Sequence, residues 1–76
     1  IRLGRDANAH INIADDKRIS KSQGCIVWEA ALHAFRYVHL GRNGSEVDGE
    51  ILDKNGSSAV LKHKSVICTA GHLLGV

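Results

Sequence analysis

The sequence predicts an all-β domain, a sandwich or a barrel, on three observations. Turn signals recur at short intervals: Asn8, Asp15-Asp16, Gly24, Gly41, Asn43-Gly44, Asp48-Gly49, Asn55-Gly56 and Gly71. The runs between them are short, and several carry the β-branched and aromatic residues that suit a pleated, half-buried surface. The apolar content leans on Val and Ile, with neither proline nor methionine and only three aromatic residues, Trp28, Phe35 and Tyr37. A core built from this chain is therefore mainly aliphatic.

The elements follow in order. Ile1-Arg2-Leu3 is a short alternating run that ends at Gly4-Arg5. Ile11 and Ile13 alternate with polar neighbours, as a half-buried strand does. Lys17-Arg18-Ile19 closes on Ser20-Lys21. The stretch from Cys25 to Leu40 reads two ways. Glu29-Ala30-Ala31-Leu32-His33-Ala34 has strong helix propensity, and Gly41 would cap such a helix. The stretch is apolar nearly all round, however, which fits no surface helix, and its ends, Ile26-Val27-Trp28 and Tyr37-Val38-His39-Leu40, are β-type. We therefore expect strand, Ala-rich turn, strand, with a short helical turn near Ala30–Ala34. Ser45-Glu46-Val47 and Glu50-Ile51-Leu52 flank Asp48-Gly49 as hairpin arms, and Asp-Gly suits a type I′ turn. Ala59-Val60-Leu61 and Ser65-Val66-Ile67-Cys68 are expected to form a second, late pair, and Leu73-Leu74 a last strand. Val27, Trp28 and Val47 are expected in the core.

Seventy-six residues make one domain, 1–76. A chain of this size buries only about 60% of its unfolded surface and is marginally stable. No apolar run approaches the roughly 20 residues of a membrane span, so no membrane partner is expected. The net charge of +2 says little, but Arg5, Lys17, Arg18, Lys21 and Arg42 fall in or beside the turns discussed below. A basic cluster around turns suits an anionic ligand; for Lys17 and Arg18 a solvated mixed-charge surface is an equal alternative. Cys25 and Cys68 lie in apolar runs and are expected to be reduced and buried, in an intracellular compartment.

Catalysis is not expected. Five histidines and two cysteines are present, but no Cys-x-x-Cys, His-Glu-x-x-His or Gly-x-Ser-x-Gly spacing joins them, so neither a metal nor a nucleophilic site is predicted. No cofactor is implied. Direct nucleic-acid binding is not expected either, since neither an aromatic-interleaved platform nor a recognition helix can be read.

What remains is a constellation of turn residues. Arg5 supplies a guanidinium, Ser20 a hydroxyl, Lys21 an ammonium and Asn43 a carboxamide, each at a turn, and the four can converge on one phosphate. Taken singly, each motif reads as a surface turn. In this order and spacing, Gly4-Arg5, Ser20-Lys21-Ser22-Gln23 and Gly41-Arg42-Asn43-Gly44 followed by Glu46-Val47-Asp48-Gly49, they resemble the forkhead-associated (FHA) domain, from the first residue to about Ile67. That family reads Gly-Arg, then about fifteen residues on Ser-x-x-His, then Ser-x-Asn-Gly followed by x-x-Val-Asn-Gly.

The resemblance implies an FHA-like β-sandwich and a phosphothreonine-dependent, peptide-binding interaction module whose partner is a phosphothreonine-containing protein. It places phosphate contacts at Arg5, Ser20, Lys21 and Arg42, and gives Asn43 the ligand's main chain next to the phosphothreonine. Gly4, Gln23, Gly44 and Gly49 are implied as structural supports of the site. The chain departs from the pattern at Gln23, where the family has a buttressing His, at Gly41 for Ser, at Asp48 for Asn, and at Lys64-Ser65, where Gly-Asp is common. Those departures keep open a phosphate-independent scaffold. The family also has strands before the Gly-Arg, whereas this chain begins on that strand, so the sandwich is expected either without them or with its edge otherwise covered. By analogy the setting is nuclear signalling or a transcription-linked complex.

Overall fold

The structure, a computed structural model, describes residues 1–14 and 16–76. Of the expected turn at Asp15-Asp16, Asp15 lies outside the described residues. Nine strands are described: β1 (Arg2–Gly4), β2 (Ile11–Asn12), β3 (Gly24–Glu29), β4 (Ala34–His39), β5 (Ser45–Val47), β6 (Glu50–Leu52), β7 (Ser58–Val60), β8 (Val66–Thr69) and β9 (His72–Gly75). They form two sheets, in the orders β2-β1-β3-β4-β7 and β6-β5-β8-β9. The domain is the all-β sandwich that the turn spacing predicts.

The ambiguous stretch from Cys25 to Leu40 folds as a hairpin, in register from Gly24 opposite His39 to Glu29 opposite Ala34. Its helix propensity survives only as a 3-10 turn, Ala30–Leu32. His33 ends that turn in the left-handed region, φ 47°, with its N–H donating to the Ala30 carbonyl at 3.2 Å. Gly41 caps no helix. The Asp48-Gly49 hairpin is as predicted: both residues have positive φ, 50° and 87°, as a type I′ turn requires. The Asp48 carboxylate accepts from the Ser65 hydroxyl at 2.7 Å and from the Val66 N–H at 2.9 Å. Those bonds, the Ser65 one first, hold it below the usual carboxylate range. A second tight turn, Ala70-Gly71 with φ 48° and 82°, leads β8 into β9, the last strand expected at Leu73-Leu74.

The expected late pair does not form. β7 pairs with β4, with Tyr37 opposite Ala59, while β8 pairs with β5 and β9. Between them the chain crosses from one sheet to the other through a turn in which Ser65 Oγ accepts from the Lys62 N–H at 2.7 Å. Local alternation of apolar residues is the same whichever sheet a strand joins, so it cannot identify the partner.

Leu3, Tyr37, Val47, Leu52, Ala59, Leu61 and Ile67 make the core, with Ile11, Ile13, Ile26 and Leu74 packed against it. Val47 is buried as expected, but Val27 and Trp28 are exposed. Val27 alternates with Ile26 and so faces outward. Trp28 has the inward parity of Ile26 and is nevertheless 53% exposed. The cysteines are free thiols but half-buried, not buried: Cys25 in one sheet, Cys68 in the other.

Gln23, His39, Ser45, Ser65 and Thr69 are the buried polar residues described, and among them His39 has an unpartnered atom. His39 is fully buried, its Nδ1 3.2 Å from Ser45 Oγ, which also lies 3.1 Å from the Tyr37 hydroxyl. Its Nε2 has no hydrogen-bond partner among the described residues. Burial penalises the charged imidazolium and lowers the His39 pKa. The unfolded chain therefore binds a proton more readily than the folded one. Stability is expected to be constant above about pH 6.5, the ordinary histidine value, and to fall as the pH drops below it, by at most about 1.4 kcal/mol per pH unit for one proton. Urea unfolding between pH 7.5 and 5.5 measures the slope, and His39→Gln should flatten it.

Candidate phosphopeptide site at the loop end

Strand register gathers the three motif loops at one end of the sandwich. Leu3 opposes Gly24, Gly24 opposes His39, and Ser45 opposes Thr69. The chain leaving β1, the chain entering β3, the β4–β5 loop and the β8–β9 turn therefore all emerge there. Binding at such a place is loop work on a rigid scaffold.

The first two loops are laced by main-chain bonds. The Arg5 N–H donates to the Ser20 carbonyl at 3.0 Å, the Asp6 N–H to that of Lys21 at 3.2 Å, and the Gln23 N–H to that of Leu3 at 2.9 Å. Gly4 makes the closeness possible, because a Cβ there would land on the Lys21 carbonyl oxygen.

Gln23 joins the third loop to these. It is fully buried. Its main-chain carbonyl accepts from the N–H groups of Leu40 and Gly41, both at 3.0 Å. Its side-chain Oε1 accepts from the Ser20 N–H at 2.9 Å, and its Nε2 donates to the Asn43 carbonyl at 3.0 Å and to Thr69 Oγ1 at 2.8 Å. One carboxamide thus spends both N–H groups and its oxygen on three different segments. Gly41 lies against it: a Cβ at Gly41 would fall on the Gln23 carboxamide. The two departures from the family motif are therefore one, since the glutamine occupies the space that a serine side chain would need.

Arg5 is partly buried, and its Nε donates to the Ile19 carbonyl at 3.0 Å. Among the described residues its two Nη groups meet no acceptor and no carboxylate. The side chain is thus oriented at its neck and open at its fork. Ser20 Oγ accepts from the Arg42 N–H at 3.0 Å, which leaves its own proton to donate. Asn43 Nδ2 donates to the Arg18 carbonyl at 2.7 Å. Lys21, Arg42 and Asn43 are exposed. Arg5, Ser20, Arg42 and Asn43 are thus drawn together around residues 18–20, and Lys21 adjoins them in the chain. Gly44 sits at the mouth of β5. Gly49 does not belong to this group: it stands at the far end of the β5–β6 hairpin, because β5 runs away from the loops.

Part of the site had gone unread in the sequence. Arg18, open to reading as a free surface charge, is bound by Asp16. The Asp16 carboxylate accepts from the Arg18 Nε at 3.0 Å, Nη2 at 2.8 Å and N–H at 2.9 Å, and lies 2.9 Å from His72 Nε2. Arg18, chiefly, and then His72 hold Asp16 well below the usual carboxylate range. Arg18 Nη2 also donates to the Ala70 carbonyl at 3.0 Å. The clasp ties the β8–β9 turn to the segment whose Arg18 carbonyl receives Asn43. No local pattern links residues 56 positions apart. Thr69 did leave a signal, since it shares the inward parity of Ile67 and a buried hydroxyl there needs a partner.

A search of curated proteins returned no match to the chain. The family model described as "FHA domain" matches residues 1–69 and so spans Arg5, Ser20, Lys21, Gln23, Arg42 and Asn43. With that match over a two-sheet β-sandwich, the chain belongs to the FHA domain family, whose members are phosphopeptide-binding protein-interaction modules rather than catalysts.

Proposed function

We propose that this domain binds phosphothreonine peptides, that binding requires the phosphate, and that it serves as an interaction module in intracellular, nuclear signalling complexes. The observation that carries the reading is the Arg5 guanidinium, held at Nε and open at both Nη groups beside the Ser20 hydroxyl. A phosphate monoester brings three strong acceptor oxygens and −1.5 to −2 charges at neutral pH. The Arg5 fork meets two oxygens, as a planar guanidinium can and an ammonium cannot. The Ser20 hydroxyl takes the third, and Lys21 and Arg42 supply charge. The Asn43 Oδ1, free while Nδ2 is held by Arg18, accepts a main-chain N–H of an extended peptide. The nuclear setting rests on the family resemblance alone.

Titration calorimetry tests this with a phosphothreonine peptide selected from an oriented library, its unphosphorylated twin, and a version with glutamate in place of the phosphothreonine. We expect binding of the first, none of the second, and little of the third, because a carboxylate has fewer oxygens and less charge. Equal affinity for the first two would instead support a phosphate-independent scaffold.

A further inference from the structure

The chain contains the tripeptide Asn-Gly-Ser twice, as Asn43-Gly44-Ser45 behind Arg42 and as Asn55-Gly56-Ser57 behind Lys54. Asparagine before glycine is a step at which a chain can modify itself. The main-chain nitrogen of the glycine attacks the asparagine Cγ, and the missing Cβ of glycine leaves that approach open. Both asparagines and both glycines are exposed. Both carboxamides are also held at Nδ2, which donates to the Arg18 carbonyl at 2.7 Å from Asn43 and to that of Leu40 at 3.0 Å from Asn55. In local sequence and exposure the two steps are therefore matched.

They differ at the attacking nitrogen. The Gly56 N–H donates to the His39 carbonyl at 2.7 Å, and His39 is fully buried, so this nitrogen is pinned to the sandwich. The Gly44 N–H meets no acceptor among the described residues. The other asparagines are like Asn55. After Asn8, the Ala9 N–H donates to the Asp6 carbonyl at 3.0 Å, and after Asn12 the Ile13 N–H donates to that of Gly4 at 2.9 Å. The Asn43–Gly44 peptide is also polarised from its oxygen side. The Asn43 carbonyl accepts from Gln23 Nε2 at 3.0 Å. A donor on an amide oxygen draws electron density from the amide nitrogen, and so makes the N–H easier to deprotonate.

We propose that Asn43-Gly44 is a self-modification site whose reaction ends ligand binding. Hydroxide takes the Gly44 N–H proton, and the nitrogen attacks Asn43 Cγ. The Cγ–Nδ2 bond breaks, and ammonia leaves with a proton from water. The five-membered succinimide so formed is opened by water at either ring carbonyl, giving aspartate or isoaspartate. The net change is one water consumed and one ammonia released, with no oxidant or reductant. Neither product keeps the Nδ2 donor that the Arg18 carbonyl receives, and both add a carboxylate to the loop end that holds Arg5 and Ser20. A new negative charge there repels a phosphate. Isoaspartate also routes the main chain through Cβ and Cγ, which lengthens the loop. The loss of binding rests on the phosphothreonine reading, whereas the ring closure does not. A bound peptide that donates to Asn43 Oδ1 shields the carboxamide, so the free domain ages faster than the occupied one.

Peptide mapping by mass spectrometry tests this on the whole chain, incubated at mildly alkaline pH and sampled over days. In the folded domain Asn43 should convert about tenfold faster than Asn55, the factor set by freeing one hydrogen-bonded N–H. In urea the two rates should converge, because the tripeptides are the same. Gly44→Ala should suppress conversion at Asn43 and leave Asn55 unchanged. A Cβ at Gly44 meets nothing nearer than the Leu52 carbonyl oxygen at 3.4 Å, an ordinary contact, and circular dichroism checks that the variant folds. A saturating phosphothreonine peptide should slow Asn43 alone, and the converted fraction, separated by ion exchange, should not bind that peptide. Equal rates at Asn43 and Asn55 in the folded domain would overturn the proposal, as would a converted fraction that binds as well as the intact one. An intact fraction that binds no phosphothreonine peptide, with Asn43 still outpacing Asn55, would instead remove the phosphothreonine reading and keep the modification site.

Discussion

Replacing Arg5 by alanine is expected to lower phosphothreonine-peptide affinity by about a hundredfold or more. Hydrogen bonds to a charged group are worth roughly 1.5–3 kcal/mol each, and the variant loses two of them. The loss should be larger at low salt, because screening weakens the ion pair in the parent, although a partly buried pair is screened less than an exposed one. Asn43→Ala is the contrast. It removes a contact to the ligand's main chain, so its penalty should barely move with salt. The two variants differ little in folding. Arg5→Ala deletes the bond from Nε to the Ile19 carbonyl and Asn43→Ala the bond to the Arg18 carbonyl, each worth about 1 kcal/mol of stability. Arg5→Lys should not rescue binding, since one ammonium cannot serve the Ile19 carbonyl and two phosphate oxygens together. Calorimetry at low and high salt, with thermal midpoints for each variant, makes the comparison. Normal binding by folded Arg5→Ala would eliminate the proposed pocket.

Gly41→Ser restores the family residue and is nevertheless expected to harm the domain. The new Cβ would fall on the Gln23 carboxamide, a group that is fully buried and held by bonds to Ser20, Asn43 and Thr69. It cannot swing away without breaking them. Overpacking of this kind costs roughly 1–3 kcal/mol, and because Gln23 holds two of the binding loops, affinity should fall with stability. The effect should be coupled. In a Gln23→His background, which restores the other family residue, Gly41→Ser should cost much less, and the double-mutant cycle should show an interaction of about 1 kcal/mol or more. Additive penalties measured by urea unfolding would mean that the two positions do not share space.

The sequence was most legible where chemistry is local. Asp48-Gly49 announced its hairpin because few residue pairs accept positive φ twice in succession. The β character of Ile26-Val27-Trp28 and Tyr37-Val38 outweighed the helix propensity of Glu29–Ala34. The loop residues Arg5, Ser20, Arg42 and Asn43 were found through motif order, and the structure brings them together. What could not be read depends on separations that periodicity does not see. β7 and β8 look like neighbours but belong to different sheets. Trp28 has core parity and is half exposed, since parity fixes the face of a sheet and not what packs on it. The clasp of Asp16, Arg18 and His72 exists only after β9 has docked.

The pairing of β4 with β7 and of β5 with β8 sets the order in which the molecule can be assembled. The first sheet must wait across the β5–β6 hairpin of the second for β7, and the second must wait across β7 for β8 and β9, so the sandwich is complete only once the chain has emerged past Thr69. Such interleaved, non-local topology is expected to fold on the millisecond-to-second scale of β-sandwiches rather than in microseconds. The last strands to arrive bring Thr69 to Gln23 and His72 to Asp16. The loops that hold Arg5 and Asn43 are thus locked at the end of folding, and a nascent or truncated chain lacking β8 has the motif but not the grip. Gain of phosphopeptide affinity during refolding should accordingly coincide with the final kinetic phase, making ligand capture a clock for the completed domain.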